Sequence, residues 1–449
     1  MNLSLKTAHI KEIPFTEPTV YFQKFTHKQY SSLLTGNGNE QTANYSIIGL
    51  LPHTIIKYEN NFFSIKQEKN TREIYQPFWD FWKKILRKTN FEKFKFPAYL
   101  CGFIGYISYE ALHKIENIPK KTRDNYKFPL LEFILYNRYI VFDRLLKTTF
   151  DIRFNFQQKS CINLTNKYPN FYQVDNLNKE ANSQQYKAKI AKIKHYILEG
   201  DVYEVNLSQQ INGNFSGNPF LLFKRLFHIN PAPYSAYLDF NSRKIISNSP
   251  EMFLQVNNKS VETRPIKGTI NRCKDKRKDE LNKNKLLNSA KDQAELFMIV
   301  DLLRNDLGKV CKTGSVKVQK QKLLESYNNV HHLIGVITGT LTESNTIIDL
   351  IKAAFPGGSI SGCPKIRSLE IIEEMETFSR NLYTGSIFIL NKKFLISNIV
   401  IRSIIINNNE LFTNTGGAIT IDSNATDEYN EIIYKIKNIM EICNHDSFL

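Results

Sequence analysis

The chain has 449 residues, which is long enough for two or three ordinary domains or for one large catalytic unit. Hydrophobic residues make up 42% and charged residues 23% of it, a balance that is typical of globular proteins and excludes a disordered or fibrous chain. The formal net charge of +17 comes from an excess of lysines spread along the sequence, with no cluster of arginines and aromatic residues. We therefore predict no nucleic-acid partner, although this charge favours an anionic substrate.

Cysteine spacing and hydropathy indicate a cytoplasmic protein. The six cysteines include no Cys-x-x-Cys pair that would indicate zinc or redox chemistry, and they are widely separated: Cys101, Cys161, Cys273, Cys311, Cys363 and Cys443. This usage is typical of reduced thiols. Residues 1–14 lack the apolar core of a signal peptide, and no stretch of about 18 apolar residues occurs. We predict neither secretion nor a membrane partner.

The first part of the chain reads as β-rich. The runs Tyr45 to Leu51, Tyr99 to Ile107 and Tyr139 to Phe142 have the aromatic and β-branched composition of strands. An aromatic segment from Phe78 to Leu86 predicts a helix. Residues 165–182 are polar and rich in Asn, which predicts a connector between two halves.

The second part predicts helices, a strand and a hairpin. Apolar residues recur at helical spacing after Ser183, the expected N-cap, and Gly200 is the expected stop. A second, longer helix is expected to end at Gly308. The predicted elements are helices at Ser183 to Glu199 and Leu286 to Leu307, a strand at Val202 to Gln210, and a hairpin of Phe394 to Ile406 with Leu411 to Ile421 around Asn407 to Asn409.

A lysine and a carboxylate form the first candidate for chemistry. Glu251 lies in Ser249-Pro250-Glu251, and Lys267 lies in the run from Thr263 to Thr269. A lone lysine beside glycine is usually a solvated loop residue. With a carboxylate 16 positions earlier on a neighbouring strand, it can instead act as a nucleophile whose acid partner lies across the site.

Carboxylates on two helices form the second candidate. Glu295 lies in the long predicted helix, and Glu428 and Glu431 are three residues apart near the C-terminus, so they share one helical face. Such residues are usually the solvated faces of helices. Two helices that both present carboxylates would also suit Mg2+, which prefers oxygen ligands and leaves positions for substrate and water.

Two glycine-rich loops and one arginine suggest recognition of an anion. The loops are Pro356 to Gly362 and Thr415 to Ala418. Either can be a plain turn, but consecutive small residues also let backbone N–H groups converge on a carboxylate. Arg402 lies among Ile and Val in a predicted strand, where a guanidinium needs an anion from the protein or from a ligand.

Several runs resemble the chorismate-utilising enzymes, the family that includes anthranilate synthase component I, aminodeoxychorismate synthase component I, and isochorismate and salicylate synthases. The matching runs follow the family order: Gly200 to Ser208, Ser249 to Glu251, Thr263 to Thr269, Lys291 to Gly308, Pro356 to Lys365, Tyr383 to Gly385, Arg402 and Gly416 to Lys435. The resemblance implies an α+β fold with two large antiparallel sheets packed as a sandwich and helices outside. It also implies an N-terminal region similar to anthranilate synthase component I at 1–164, the connector at 165–182 and a chorismate-binding catalytic region at 183–440.

Two positions favour the aminodeoxychorismate synthases within this family. Those enzymes carry lysine in the Pro-Ile-x-Gly-Thr motif, as at Lys267, where anthranilate and isochorismate synthases carry alanine. Water-adding members have a lysine base at the position of Glu204, which disfavours isochorismate and salicylate synthesis. Anthranilate synthase component I is the alternative function, although its Leu-Leu-Glu-Ser feedback motif appears here only as Ser32 to Thr35.

The resemblance also implies a role for each residue of the site. Lys267 would attack C2 of chorismate while Glu251 protonates the departing 4-hydroxyl, and ammonia would then attack C4 and release the lysine. Because an amine nucleophile must be neutral, we expect a metal ion and burial to lower the pKa of Lys267. Glu295, Glu428 and Glu431 would hold Mg2+. The substrate-binding residues would be Tyr383 and Arg402 at the enolpyruvyl carboxylate, Gly416 and Gly417 at the ring carboxylate, and also Thr269, His332, Ser361, Gly385 and Lys435.

The partners follow from what the sequence lacks. It contains no glutamine amidotransferase signature, and we expect no lyase domain after Leu449. The resemblance therefore implies a separate glutaminase subunit that supplies ammonia and a separate lyase that forms 4-aminobenzoate for folate synthesis. The expected protein is a cytoplasmic transferase that depends on Mg2+.

Overall fold

The computed structural model describes residues 5–37, 44–67, 70–156, 167–327 and 330–444, together with positions 3 and 165. Within them the chain forms twenty-two strands, β1 to β22: Leu5–Ile13, Ser32–Thr35, Tyr45–Glu59, Phe62–Gln67, Asn70–Ile74, Phe103–Ile107, Leu131–Asp143, Thr148–Phe156, Tyr172–Lys179, Glu204–Gly217, Tyr234–Phe240, Arg243–Ser249, Met252–Asn257, Ser260–Arg264, Ile266–Asn271, Lys317–Ser326, Val330–Thr340, Gly362–Cys363, Ser386–Leu390, Phe394–Asn398, Ser403–Asn407 and Glu410–Ile419. The same residues form ten α-helices, α1 to α10: Pro18–Phe22, Phe78–Arg87, Ser183–Leu198, Pro219–Ile229, Lys276–Leu287, Ala290–Gly308, Ile347–Ala354, Lys365–Met375, Ala425–Lys435 and Lys437–Cys443.

The strands pair antiparallel and form one continuous hydrogen-bonded network. Strands β2 and β6 of the N-terminal part pair with β11 and β19 of the C-terminal part, so the two parts share their ladders. Helices α6, α8 and α9 pack against β17, β10 and β22. This arrangement of antiparallel strands with helices outside confirms the predicted α+β class.

Helix α3 matches its prediction, with a different cap. It spans Ser183–Leu198, and Gly200 has a φ of +85° just beyond its end, where glycine is the least strained residue. Its N-cap is Asn182 rather than Ser183. Asn182 and Gln185 form a reciprocal capping box, which satisfies two backbone N–H groups that the first turn leaves free.

Another predicted boundary was wrong. The long helix begins at Ala290 rather than Leu286, because Ser289 caps it and α5 occupies the preceding residues. The predicted connector at 165–182 contains a strand, β9, which pairs with β10. Its polar composition reflects an exposed position, since five of its eight residues are exposed polar ones.

Buried apolar residues form two clusters. The larger includes Trp82, Leu254 and Leu303, and the smaller includes Phe220 and Tyr237. Five cysteines of the described residues are free thiols, and Cys161 lies outside those residues. Among the described helices, none has the length and apolarity required to cross a membrane.

Candidate functional site

A cavity of about 1230 Å³ is lined by β15, α6, β22 and α9, and by the connections that precede β13 and β21. It brings together residues that are up to 232 positions apart in the chain, from Asn206 to Asn438. The predicted site residues that line it are Glu251, Lys267, Thr269, Glu295, His332, Tyr383, Arg402, Gly416, Glu428, Glu431 and Lys435.

Lys267 enters the cavity from a β-bulge in β15. Pairing with β17 shifts between Lys267 and Thr269, so that Gly268 is the extra residue. Gly268 has a φ of +61°, a left-handed conformation that glycine adopts at little cost. A side chain at this position would also lie 3.0 Å from Asp292 of α6. The Lys-Gly pair in the motif is therefore explained by local backbone geometry.

The amine of Lys267 is buried among carboxylates. Its Nζ donates a hydrogen bond to Glu204 Oε1 at 2.7 Å and lies 3.9 Å from Glu295 Oε2. Burial alone lowers the pKa of Lys267, but the negative charges of Glu204 and Glu295 outweigh it and raise this pKa above its ordinary value. The expected lowering is thus not found in the protein alone, because the sequence did not reveal that a second carboxylate contacts the amine.

Glu251 presents a carboxyl group with a nearly neutral pKa. It directly precedes β13, and its side chain is buried at the cavity wall. Burial raises the pKa of Glu251 to about 7. Ser359 Oγ donates a hydrogen bond to Oε1 at 2.6 Å, which stabilises the charged form and opposes this rise. Such a carboxyl group can both hold and release a proton near neutral pH, as a general acid must.

The three carboxylates predicted to bind metal line the same cavity. Glu428 Oε1 accepts hydrogen bonds from Ser423 Oγ at 2.7 Å and from Lys291 Nζ at 3.2 Å. Lys291 Nζ also lies 4.0 Å from Glu295 Oε1, an atom that is buried without a hydrogen-bond partner. Burial raises the pKa of Glu295 to about 7. Lys291, which is half-exposed, therefore lies between carboxylates that would also attract a divalent cation. Mg2+ prefers oxygen ligands, so these carboxylates fit Mg2+.

Arg402 and Tyr383 form a different part of the wall. Arg402 was predicted within a strand, but it lies in the connection between β20 and β21 with a φ of +51°, which interrupts the ladder. In the described part of the chain its guanidinium forms no ion pair. Burial lowers the pKa of Arg402 and raises that of Tyr383, so the cation is poorly solvated and the phenol keeps its proton. An unpaired cation is suited to bind an anion, and the Tyr383 phenol lines the same cavity as a further donor.

His332 and Thr269 form a neutral polar pair at the cavity. Thr269 Oγ1 and His332 Nδ1 are 2.8 Å apart on the paired strands β15 and β17. Burial lowers the pKa of His332 to about 3, so the imidazole is uncharged near neutral pH. This pair can orient a substrate through hydrogen bonds, but it contributes no charge.

Three predicted substrate-binding residues do not line the cavity. A side chain at Gly385 would lie 2.3 Å from the carbonyl oxygen of Ile107, so this glycine is required by close packing. Ser361 is fully buried and its hydroxyl donates to backbone carbonyls of its own loop. Gly417 faces α9, where a side chain would lie 3.5 Å from Glu428 Oε2. These residues support the frame of the site, and the structure does not bring them to its surface.

The sequence did not identify three polar contacts of the site. Glu204 contacts Lys267 across 63 positions of sequence, and Ser359 contacts Glu251 across 108. Lys291, noted only as part of a motif, reaches Glu428 on another helix. The motifs that contain these residues were recognised, but no spacing rule links residues of different elements. Alternate residues of a strand lie on one face, so Glu204 and Asn206 of β10 share a face. This alternation was the one sequence signal that could have placed Glu204 near the site.

Another group of potential metal ligands lies outside this cavity. Among the described residues, Glu110, His113 and Glu373 form the one group whose ligand atoms all lie within 4.8 Å of one another. None of them lines the cavity. The structure thus contains a possible metal-binding triad, and it is not the triad that the sequence predicted.

Comparisons with known proteins identify the family of this chain. The family model described as chorismate binding enzyme matches residues 38–441. The chain is 33% identical to "Aminodeoxychorismate synthase component 1" of Bacillus subtilis (strain 168), over 95% of this chain and 94% of that protein. It is 31% identical to "Anthranilate synthase component 1" of Acetivibrio thermocellus, over 94% and 92%. The crystal structure of anthranilate synthase component I from Streptococcus pneumoniae TIGR4 superposes with a TM-score of 0.76 at 28% identity, covering 89% of this chain and 92% of that chain.

Proposed function

This chain belongs to the chorismate-binding enzymes, and we propose that it is the component of an aminodeoxychorismate synthase that converts chorismate to 4-amino-4-deoxychorismate. The observation that carries the proposal is Lys267, a primary amine buried in the cavity that Glu251 also lines. Full-length similarity to proteins named aminodeoxychorismate synthase component 1 supports the same function.

Lys267 would act as the covalent nucleophile. Its ammonium must first lose a proton, and Glu204 Oε1 is the acceptor at 2.7 Å. The neutral amine then forms a bond to C2 of chorismate, the ring double bond shifts, and the 4-hydroxyl leaves as water with the proton of Glu251. Ammonia attacks C4 of the adduct, the bond to Lys267 breaks, and 4-amino-4-deoxychorismate is released.

Glu295, Glu428 and Glu431 would hold Mg2+. The bound ion would supply positive charge for the ring carboxylate of chorismate. The buried Glu295 Oε1 without a partner supports a cation at this position. Lys291 would move towards solvent, since its side chain is 47% exposed and contacts Glu428 from outside.

Arg402 and Tyr383 would bind the enolpyruvyl carboxylate. A carboxylate between a guanidinium and a phenol O–H would receive charge-assisted hydrogen bonds. The same contacts would satisfy the guanidinium that has no ion pair in the described residues. His332 and Thr269 would add neutral hydrogen bonds from β17 and β15.

Ammonia would come from a glutamine amidotransferase subunit, and a lyase would convert the product to 4-aminobenzoate for folate synthesis. The relatives named aminodeoxychorismate synthase component 1 support a partner component. The enzyme would be a cytoplasmic transferase.

Anthranilate synthase component I is the second candidate, because relatives with that name match the full length at 31% identity. Both reactions begin with chorismate, Mg2+ and ammonia, so the product distinguishes them. Anthranilate is fluorescent and forms directly, whereas aminodeoxychorismate becomes 4-aminobenzoate only after a lyase is added.

The deciding experiment incubates the chain with chorismate, Mg2+ and ammonium salt, with and without an aminodeoxychorismate lyase. We expect 4-aminobenzoate only when the lyase is present, and no anthranilate fluorescence in either case. Fluorescent anthranilate without lyase would overturn the proposal in favour of the second candidate. A reaction without chorismate serves as the blank.

A further inference from the structure

Glu110, His113 and Glu373 meet where the N-terminal part of the chain contacts helix α8. Glu110 and His113 lie in a 3-10 helix, Tyr109–Lys114, that follows β6. Glu373 lies on α8. Both glutamates are 3% exposed, so two carboxylates are buried side by side with a single imidazole between them.

Each carboxylate has one oxygen fixed and one directed at the imidazole. Glu373 Oε2 accepts hydrogen bonds from the backbone N–H groups of Lys121 and Thr122 at 2.9 and 3.1 Å. Its Oε1 lies 3.6 Å from His113 Nε2. Glu110 Oε1 accepts from the backbone N–H of Asn381 at 3.4 Å, and its Oε2 is buried without a hydrogen-bond partner. Such outer contacts are typical of carboxylates that ligate metals.

The tautomer of His113 leaves Nε2 as a ligand atom. Nδ1 lies 3.1 Å from the carbonyl oxygen of Ile118, so Nδ1 must carry the proton that is donated there. Burial lowers the pKa of His113, but Glu110 and Glu373 outweigh it and raise this pKa to about 9, so Nε2 carries a proton near neutral pH. A metal ion would displace that proton and bind the Nε2 lone pair between the two carboxylates. A donor bond from Nδ1 to a carbonyl is the usual support of a ligating histidine.

The spacing of the three atoms favours a metal over a direct ion pair. A protonated imidazole approaches a carboxylate oxygen to about 2.7–2.9 Å in a charge-assisted hydrogen bond. Here Nε2 lies 3.5 Å from Glu110 Oε2 and 3.6 Å from Glu373 Oε1, and both Nε2 and Glu110 Oε2 are buried without a hydrogen-bond partner. Neighbouring ligands of a tetrahedral zinc ion, each about 2.0–2.2 Å from the metal, are roughly 3.3–3.6 Å apart.

We propose that Glu110, His113 and Glu373 bind a first-row divalent transition metal, with Zn2+ as the representative ion, at a site separate from the chorismate cavity. One nitrogen and two oxygen ligands suit Zn2+ better than Mg2+, which prefers oxygen alone. Water would complete the coordination, since His113 is 19% exposed. Lys120 Nζ, 3.9 Å from Glu110 Oε2, is 42% exposed and can turn to solvent when the ion enters.

The ion would have a structural role. It would join the 3-10 helix to α8. Glu376 and Arg380 come shortly after the end of α8 in the sequence. Arg380 donates to Glu376 and to the carbonyl oxygens of Ile360 and Asn206, beside the cavity. The metal would therefore stabilise the frame of the site without contacting substrate.

Calorimetric titration of the full chain with Zn2+, in excess Mg2+ to occupy sites built of oxygen alone, tests the proposal. We expect one Zn2+ per chain. His113→Arg keeps a cation between the carboxylates but removes the ligand, so it should fold and weaken Zn2+ binding by at least about 10- to 100-fold, the range seen when even an outer contact of a metal ligand is lost. His195→Arg, at a histidine that is 71% exposed on α3, is the matched control.

Thermal unfolding distinguishes a lost ligand from a lost fold. Without metal, His113→Arg should unfold at the same temperature as the unmodified chain or above it, and only the unmodified chain should gain stability with Zn2+. Glu110→Gln should also lose the Zn2+-dependent gain. Equal Zn2+ binding by His113→Arg, or no binding by the unmodified chain in excess Mg2+, would overturn the proposal and leave His113 as a protonated partner of two carboxylates.

Discussion

The cavity contains two groups of charges that differ in how they are balanced. Around Lys267, carboxylates and lysines contact one another: Glu204 and Glu295 contact its amine, and Lys291 contacts Glu428. Around Arg402, no acidic group of the described residues balances the cation. The first group is balanced within the protein, and the second requires an anion from outside.

This difference separates chemistry from recognition. At the first group, the charged side chains already contact one another. A proton that moves or a divalent cation that binds there only changes those contacts, which suits bond making and breaking. At the second group the missing partner is the substrate itself, which suits binding. Substitutions in the two groups should therefore affect different kinetic constants.

The largest effect is expected from Lys267→Ala. With chorismate and Mg2+ but no ammonia, part of the unmodified enzyme should carry an adduct on Lys267 equal in mass to chorismate minus water. The variant should lose the adduct and all aminodeoxychorismate formation, because no other amine replaces Nζ. Intact-mass and peptide mass spectrometry check this, with exposed Lys285→Ala as the control. A variant that forms the product at the unmodified rate would refute covalent catalysis.

Removal of the metal should also abolish turnover. Excess chelator, Glu295→Gln or Glu431→Gln should each reduce product formation below detection while circular dichroism and the unfolding temperature remain close to those of the unmodified chain. The physical reason is that these carboxylates would bind an ion rather than stabilise the core. Glu280→Gln, at an exposed residue of α5, is the control. Full activity in chelator would contradict the assignment.

Glu251→Gln should slow the reaction by about 10²- to 10⁴-fold, the usual range for a lost general acid. The amide retains the shape and the contact with Ser359 but cannot protonate the leaving hydroxyl. Initial rates at saturating chorismate measure the loss. A change of only two- or three-fold would mean that Glu251 has a structural role.

Arg402→Lys should weaken the binding of chorismate. Lysine keeps the charge but loses the planar pair of donors, and a hydrogen bond between charged groups contributes about 1.5–3 kcal/mol, which corresponds to roughly 10- to 150-fold. We expect KM for chorismate to rise within that range with a smaller change in kcat. If kcat falls and KM does not change, Arg402 belongs to the chemical group, and the comparison between the two groups fails.

The sequence predicted the α+β class, most of the elements and eleven of the residues that line the cavity, because motifs and periodicity are local signals. It did not predict contacts between distant elements. Neither the hydrogen bond of Glu204 to Lys267 nor the left-handed φ of Arg402 follows from the residues around either position. The pKa of Lys267 in the protein alone depends on a contact of the same kind, since Glu204, a carboxylate 63 positions away, helps to raise it.

Ser359 gives the smallest expected effect. Its hydroxyl donates to the Glu251 carboxylate at 2.6 Å and so stabilises the charged form against the burial that raises the pKa of Glu251 to about 7. A general acid must be protonated, so the rate should fall as pH rises through this pKa. Ser359→Ala removes the hydrogen bond, raises the pKa of Glu251 further and should move the fall in kcat to higher pH. Ser359→Thr keeps a hydroxyl and should restore the original profile. Unchanged pH profiles of kcat in both variants would mean that Glu251 does not control the alkaline limb.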